Sequence, residues 1–333
     1  MLSFLAKCLL TAGLLSGSIL SATAQIQVST DELPTTSGTG RFKEDVLRKL
    51  KGTTTLFVLL DHDYEQIDAY QQAIGRVWKY TPFKIIRRSE IGNYLEEGKY
   101  SFGVFGGYII TVHNNTTIQL TYDLGMFNFN RQGEVKGMNY FSRMALSPNA
   151  KSMSAVATSA APAIFGFSTK ERRKESLDNI YAEGSFYDWS PGFLMGKLQF
   201  VNKLLTAGET IGSFDDLANK EALAGLRRDT LFIPNYVNTR YSIQGVEQEK
   251  EANEDDVKDV YPYKVQFVST EELNNRIMNI DKPIYYLVST VYSGNKYINV
   301  YHSKKGRLYA EYAPMSYKFK YKDLKKIAKL IKD

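Results

Sequence analysis

The chain contains two stretches in which segments of the same kind follow one another in the same order. The first opens with a helix-like run at residues 43–50 and an apolar strand at 55–58. The second opens with the corresponding run at 220–227 and strand at 230–233. In both, a strand beside a proline, a short helix, another strand, a hairpin and a closing helix follow. We interpret this order as an internal duplication; the alternative is two unrelated domains that share generic strand and helix patterns.

The periodicity of each copy predicts how its strands pair. Strands that alternate with helices predict parallel pairs, and a hairpin adds an antiparallel extension. The clearest hairpin has strands at 297–301 and 307–312 on either side of Gly306. In the closing helix at 324–331, the apolar residues recur at helical spacing and share one face. We expect an α/β fold of two related units with mixed sheets, each ending in a β-hairpin and an amphipathic helix.

Composition sets the expected boundaries of the chain. Residues 1–24 combine one lysine, an apolar run and a small-residue site, the order found in an export signal, so we expect cleavage after Ala24. The polar residues 25–40 are then expected to form a flexible leader. The first α/β unit spans 41–207, with an insertion at about 149–191, and the second spans 208–333. An exported chain of this kind is expected in the periplasm or outside the cell.

Cysteine usage and charge limit the chemistry that this chain can perform. The only cysteine, Cys8, lies inside the predicted signal, so the mature chain would have no disulfide, cysteine nucleophile or thiolate metal site. Lys7 stands immediately before Cys8, where a lipoprotein signal needs a small residue, so lipid attachment is not expected. The net charge of +6 is mild for 333 residues and does not indicate nucleic acid as a partner.

Asp61, His62 and Asp63 are the sharpest candidates for a chemical role. They follow an apolar strand, and ligands in α/β sheets gather at the carboxyl ends of strands. Two carboxylates and an imidazole could bind a divalent metal, around which a hydrolase could be built. The structural alternative is that Asp63 and Gln66 form a capping box for the helix that follows. No other cofactor is expected, because the sequence contains no HExxH, GxSxG or Walker A motif.

The C-terminal segment from Lys318 to Lys332 carries seven lysines. A basic amphipathic helix could make a weak surface contact with an anionic membrane or partner. In the simpler interpretation, its apolar residues dock on the sheet, while the lysines face water and complement the helix dipole. We expect no transmembrane segment once the signal has been cleaved.

An apolar strand at 83–86 runs into Arg87 and Arg88 and then into a helix at 89–95. This arrangement resembles the α/β module of the curli-secretion lipoproteins and of the TolB amino-terminal domain, over residues of about 53–112. The resemblance implies a non-catalytic part in envelope assembly. The second copy has no arginine at the corresponding place, and the lipid-attachment cysteine of the curli family is absent.

Three hypotheses of function follow. The first is an exported, non-catalytic binding or scaffold protein of a bacterial-type cell envelope, which suits a duplicated chain with 23 tyrosines because tyrosine favours wet contact surfaces. The second is a metal-dependent hydrolase centred on Asp61, His62 and Asp63. The third is a periplasmic binding protein that holds a small ligand in an enclosed aromatic cleft between the two units. The first hypothesis predicts other envelope proteins as partners.

Overall fold

A computed structural model describes residues 26–27, 39–112, 115–149, 152, 180–182, 186–212, 216–241, 247–249, 254–292, 295–313, 316 and 318–332. The predicted signal peptide, most of the predicted leader and most of the insertion at 149–191 lie outside these residues. The described chain is an α/β protein with mixed sheets, which confirms the predicted fold class.

The elements are numbered in chain order. The helices are α1 Glu44–Lys51, α2 Ile67–Val77, α3 Pro191–Ala207, α4 Lys220–Leu223, α5 Glu254–Lys258, α6 Thr270–Met278 and α7 Leu324–Lys332. The 3-10 helices are Asp61–Gln66, Arg88–Tyr94, Ala224–Arg227, Asn235–Asn238 and Tyr321–Asp323. The strands are β1 Ile26–Gln27, β2 Gly40–Arg41, β3 Thr54–Leu59, β4 Phe83–Arg87, β5 Tyr100–Val112, β6 Asn115–Phe129, β7 Val135–Ala145, β8 Glu209–Thr210, β9 Leu217–Ala218, β10 Leu231–Pro234, β11 Thr239–Tyr241, β12 Glu247–Glu249, β13 Val265–Val268, β14 Tyr285–Tyr292, β15 Asn295–His302 and β16 Gly306–Ala313.

Two six-stranded sheets have the same strand order. Sheet 1 runs β4-β3-β5-β6-β7-β1, and sheet 2 runs β13-β10-β14-β15-β16-β9. In each sheet the second strand from one edge, β3 or β10, pairs in parallel with both neighbours, and the remaining pairs are antiparallel. The hairpin of β15 and β16 turns at Gly306, whose φ of 78° suits glycine. The common order supports the duplication, which we retain as a proposal.

The residue correspondence between the copies differs from the sequence alignment by one position. We call the face that carries the helix between the second and third strands of each unit the crossover face; this helix is Arg88–Tyr94 in sheet 1 and α6 in sheet 2. Leu56 lies on the crossover face of sheet 1 and pairs with Phe102. Leu231, its counterpart in the alignment, lies on the opposite face of sheet 2, whereas Phe232 lies on the crossover face. Side chains along a strand alternate between the two faces of the sheet, so a shift of one residue moves every side chain to the other face. The sequence alignment of these two strands was therefore wrong by one residue.

The two closing helices differ in their surroundings. In α7, the apolar residues Leu324, Ile327, Ala328 and Ile331 are buried against sheet 2 while the lysines are exposed, as predicted for an amphipathic helix. The first closing helix, predicted at 198–205, is amphipathic there: Leu198, Val201 and Leu205 are buried, while the polar residues of 199–206 are more exposed. The helix α3 begins earlier than predicted, at Pro191, and its residues 191–198 are all buried. One side of α3 packs with α2 on sheet 1, and the other packs with α6 and β16 on sheet 2. A single apolar core therefore extends from sheet 1 through α3 to the crossover face of sheet 2.

Close packing at α3 depends on Gly196. A Cβ at this position would lie 2.1 Å from the hydroxyl oxygen of Tyr286, which is buried and stacked on Tyr301 at a ring distance of 5.3 Å. A hydrogen atom at Cα lets the helix backbone approach the sheet where a larger residue would force it away. The sequence of α3 is thus suited to a helix that is enclosed between two sheets.

Two pieces of the segment that was expected to be a flexible leader form short strands. Ile26 and Gln27 pair antiparallel with Met144 and Arg143 at the edge of sheet 1. Gly40 pairs with Thr210 in the two-stranded β2–β8 sheet. The leader prediction overlooked these pairs because a two-residue strand has too few side chains to show a period.

We predict that acid weakens the fold through His302. Burial lowers the pKa of His302 below its ordinary value of 6.5, and nearby Lys305 lowers it further. A depressed pKa in the folded state gives stability that is present above the ordinary pKa and is lost as the pH falls below it. Chemical denaturation between about pH 7 and about pH 5 should show a larger loss of stability in the wild type than in His302→Gln. Equal losses in the two proteins would contradict this assignment.

Candidate functional site

Of the three predicted site residues, Asp63 is a buried carboxylate. It lies in the 3-10 helix that follows β3, and only 6% of its surface is exposed. Its oxygens accept hydrogen bonds from Leu60 N at 3.0 Å, the Tyr70 hydroxyl at 2.9 Å and Trp189 Nε1 at 3.0 Å. Burial raises the pKa of Asp63, although these three donors oppose the rise. The carboxylate is thus already engaged by donors of its own chain.

The other two predicted ligands lie at the surface. Asp61 is exposed and forms an ion pair with Arg87 at 3.4 Å, and His62 Nε2 lies 3.8 Å from Asp63 Oδ1. Within the described ranges, no three His, Cys, Asp or Glu side chains are arranged to hold a metal ion. The metal site at Asp61, His62 and Asp63 therefore stays a prediction, without a further ligand among the described residues. Asp63 does act in helix capping, but not with Gln66 as predicted. Its carboxylate accepts a hydrogen bond from the backbone N–H of Leu60, the residue that precedes the 3-10 helix.

Aromatic side chains fill the crevice beyond the carboxyl end of β3. Trp189 lies against Phe105 and Tyr122, with ring centroids 4.7 Å away in each case. Tyr181 also packs against Phe105, at a ring distance of 5.1 Å. In an open α/β sheet this position, where the strand order reverses between β3 and β5, is where a ligand would bind. Here Trp189 occupies it and is anchored by its hydrogen bond to Asp63, a partner 126 residues away in sequence.

A buried ion pair lies at the junction of the two units. Lys197 of α3 donates to Asp188 at 2.9 Å, and both side chains are at most 2% exposed. Asp188 also accepts from Ser147 N at 2.7 Å and from Thr290 of sheet 2 at 3.2 Å, while Lys197 donates to Ala145 O at 3.3 Å. Residues of both sheets thus meet at one carboxylate. Of the described chain, α3 and these contacts occupy the space where the binding-protein hypothesis needs an open cleft.

Within the part of the chain that the structure describes, the crossover face of sheet 1 is only partly covered. Its half-buried residues, which we call the outer aromatic surface, are Ile91, Tyr94, Tyr100, Val104, Phe127 and Tyr140. The corresponding face of sheet 2 lies beneath α3 and α6, and its residues Tyr286, Val288 and Tyr301 are each 1% exposed. Two faces with the same strand order therefore differ in cover: α3 and α6 together seal the face of sheet 2, while the face of sheet 1 presents aromatic rings at the surface.

The chemistry of the outer aromatic surface is typical of a protein contact. Tyr94 packs edge-to-face on Tyr100 at 5.2 Å, and Lys84 and Lys99 lie over these two rings at 4.9 and 5.5 Å. Leu95, which follows Tyr94 at the end of its helix, is 41% exposed. Tyrosine is enriched where protein interfaces concentrate their binding energy. No alternation in the sequence distinguished this face, because β5 is apolar on both faces.

No protein-family model, curated protein sequence or solved structure matches the chain.

Proposed function

We propose that the protein is an exported, non-catalytic binding or scaffold protein of a bacterial-type cell envelope, and that it holds a partner protein on the outer aromatic surface. The observation that carries the proposal is the difference between the two crossover faces. In sheet 2, α3 and α6 together seal the face, whereas in sheet 1 six apolar or aromatic residues of the same face stay half-buried. An exposed apolar patch of this kind on a folded protein usually marks an interaction site.

The location in the envelope rests on the sequence. The order of charge, apolar run and small residues in 1–24 predicts export, and a mature chain without cysteine needs no oxidative folding. The resemblance of residues of about 53–112 to the curli-secretion and TolB modules agrees with an envelope role. None of the helices in the resolved ranges is long and apolar enough to cross a membrane.

A non-catalytic role is supported by the contacts of the buried charged side chains. Asp63 accepts three hydrogen bonds from its own chain, and Asp188 and Lys197 neutralise each other at the junction. The crevice at the carboxyl end of β3 is filled by Trp189 and its aromatic neighbours. These groups stabilise the fold, and no observed arrangement favours the hydrolase hypothesis over the scaffold.

We expect Leu95→Arg to reduce recovery of the partner by about tenfold when the protein is captured from crosslinked envelope, because it places a charge next to Tyr94 at the edge of the outer aromatic surface. Ile280→Arg is a matched control, since Ile280 is also an exposed large apolar residue, at 52%, but lies outside the outer aromatic surface. Both substitutions should leave the free energy of unfolding within about 0.5 kcal/mol of the wild type.

Equal recovery with Leu95→Arg and Ile280→Arg would contradict the assignment of the surface. Metal analysis of the same purified protein tests the competing hypothesis. A stoichiometric divalent metal that is lost on Asp61→Ala and His62→Ala, with no reproducible partner, would favour a metal-dependent hydrolase instead.

A further inference from the structure

The second unit carries a basic surface that the fold assembles from two distant parts of the chain. We define the basic surface by its exposed cations, Lys220, Arg227 and Arg228 from the first part and Lys318, Lys320, Lys322, Lys325, Lys326, Lys329 and Lys332 from the second. Acidic residues also lie beside these cations. Glu221 and Asp229 are exposed in the first part, and the Asp323 carboxylate is bonded to the buried Lys296. Lys326 forms ion pairs with Asp216 at 3.2 Å and with Glu311 at 3.4 Å, so the remaining lysines of the second part carry most of its free positive charge. From the sequence, only the lysines of the second part were recognised as a basic segment.

Contacts between α4, the 3-10 helix Ala224–Arg227 and α7 bring the two parts together. Arg227 donates from Nε to Ile331 O at 2.7 Å and from Nη2 to Lys332 O at 3.2 Å. This arginine therefore satisfies carbonyl groups at the last turn of α7, where a cation also complements the helix dipole. Because of these bonds, the guanidinium lies beside the C-terminal end of the lysine-bearing helix.

The lysines of α7 form a stripe along one side. Lys325, Lys329 and Lys332 recur at i, i+4 and i+7 and are exposed. Leu324, Ile327 and Ile331 recur on the opposite side and are buried in the core of the second unit. Since the apolar side is already packed on sheet 2, α7 has no free apolar face with which to enter a bilayer. Any contact made by the basic surface would be electrostatic.

We propose that the basic surface holds the protein against an anionic lipid bilayer without insertion. The surface presents many lysines, which are compact hydrated charges suited to the diffuse field of anionic headgroups. Such a contact adds attraction from each lysine or arginine near the bilayer and weakens with salt. This proposal depends on one part of the proposed function, the export of the protein to the cell envelope, where it would work beside membrane lipids.

The test uses the chain from residue 25 and vesicles of phosphatidylcholine, with or without phosphatidylglycerol. In co-sedimentation at low salt, the wild type should bind the anionic vesicles and leave the neutral vesicles unbound, and high salt should release it. A variant with Lys325→Gln, Lys329→Gln and Lys332→Gln should lose more than about tenfold in affinity. A control with Lys51→Gln, Lys136→Gln and Lys282→Gln changes the net charge equally at exposed positions elsewhere and should bind like the wild type.

Three outcomes would overturn the proposal: no preference for anionic vesicles, binding that persists at high salt, or equal losses in the two triple variants. Equal losses would show that net charge alone attracts the protein, and persistence at high salt would show insertion. Each result is independent of partner capture, which depends on Leu95 and the outer aromatic surface. A failure of vesicle binding can therefore be told apart from a failure of the proposed scaffold function.

Discussion

Replacement of Asp188 by alanine is expected to lower the free energy of unfolding by about 3–5 kcal/mol, because it leaves the Lys197 ammonium buried without a counter-charge. Both partners are at most 2% exposed, so water cannot take the place of the lost carboxylate. The backbone N–H of Ser147 and the Thr290 hydroxyl would lose their acceptor as well. Urea denaturation of the wild type and Asp188→Ala, followed by circular dichroism, measures the difference.

The double variant Asp188→Ala with Lys197→Met separates the charge from the packing. Removing both charges takes away the unpaired ammonium, so the double variant should be more stable than Asp188→Ala alone. If the double variant is the less stable of the two, the ion pair is not what stabilises the junction.

Truncation of Trp189 to alanine is expected to cost about 3–5 kcal/mol of unfolding free energy, the range for large aromatic residues in a core. The indole is 7% exposed, contacts Phe105 and Tyr122, and donates to Asp63. Its loss leaves a cavity beyond the carboxyl end of β3 and removes one donor from a buried carboxylate. Thermal and urea denaturation should both report the loss.

Trp189→Phe is the control that isolates the hydrogen bond. It retains much of the ring packing but leaves the Asp63 carboxylate with two donors, so we expect a smaller loss of about 1–3 kcal/mol. Because burial already raises the pKa of Asp63, losing a donor should raise this pKa further in both variants. A Trp189→Ala protein as stable as Trp189→Phe would show that ring packing contributes little here.

Local patterns predicted the elements that depend on neighbours in sequence. The hairpin around Gly306 needed a turn glycine between alternating strands, and α7 needed only its apolar stripe. Both features lie within about twenty residues, and both appear in the structure. The mixed sheets followed from the alternation of strands and helices for the same reason.

Local sequence patterns could not predict contacts between residues that are far apart in the chain. The side of α3 that packs on sheet 2 has no signature that distinguishes a helix sealed by a sheet from a partly exposed one, and the hydrogen bond from Trp189 to Asp63 spans 126 residues. The sequence therefore could not show that Asp63 accepts hydrogen bonds from three groups of its own chain. The outer aromatic surface escaped notice because Tyr100, Phe102 and Val104 alternate with residues of the opposite face that are also packed.

The burial of α3 between two sheets makes residue 207 a poor place to divide the chain. A fragment that ends there would expose the side of α3 that packs on α6 and β16, and a fragment that begins at 208 would uncover Tyr286 and Tyr301. Each fragment would carry a long apolar surface into water and tend to aggregate. We therefore expect that neither unit, if cut at residue 207, folds stably alone, because α3 contributes to the packing of both sheets.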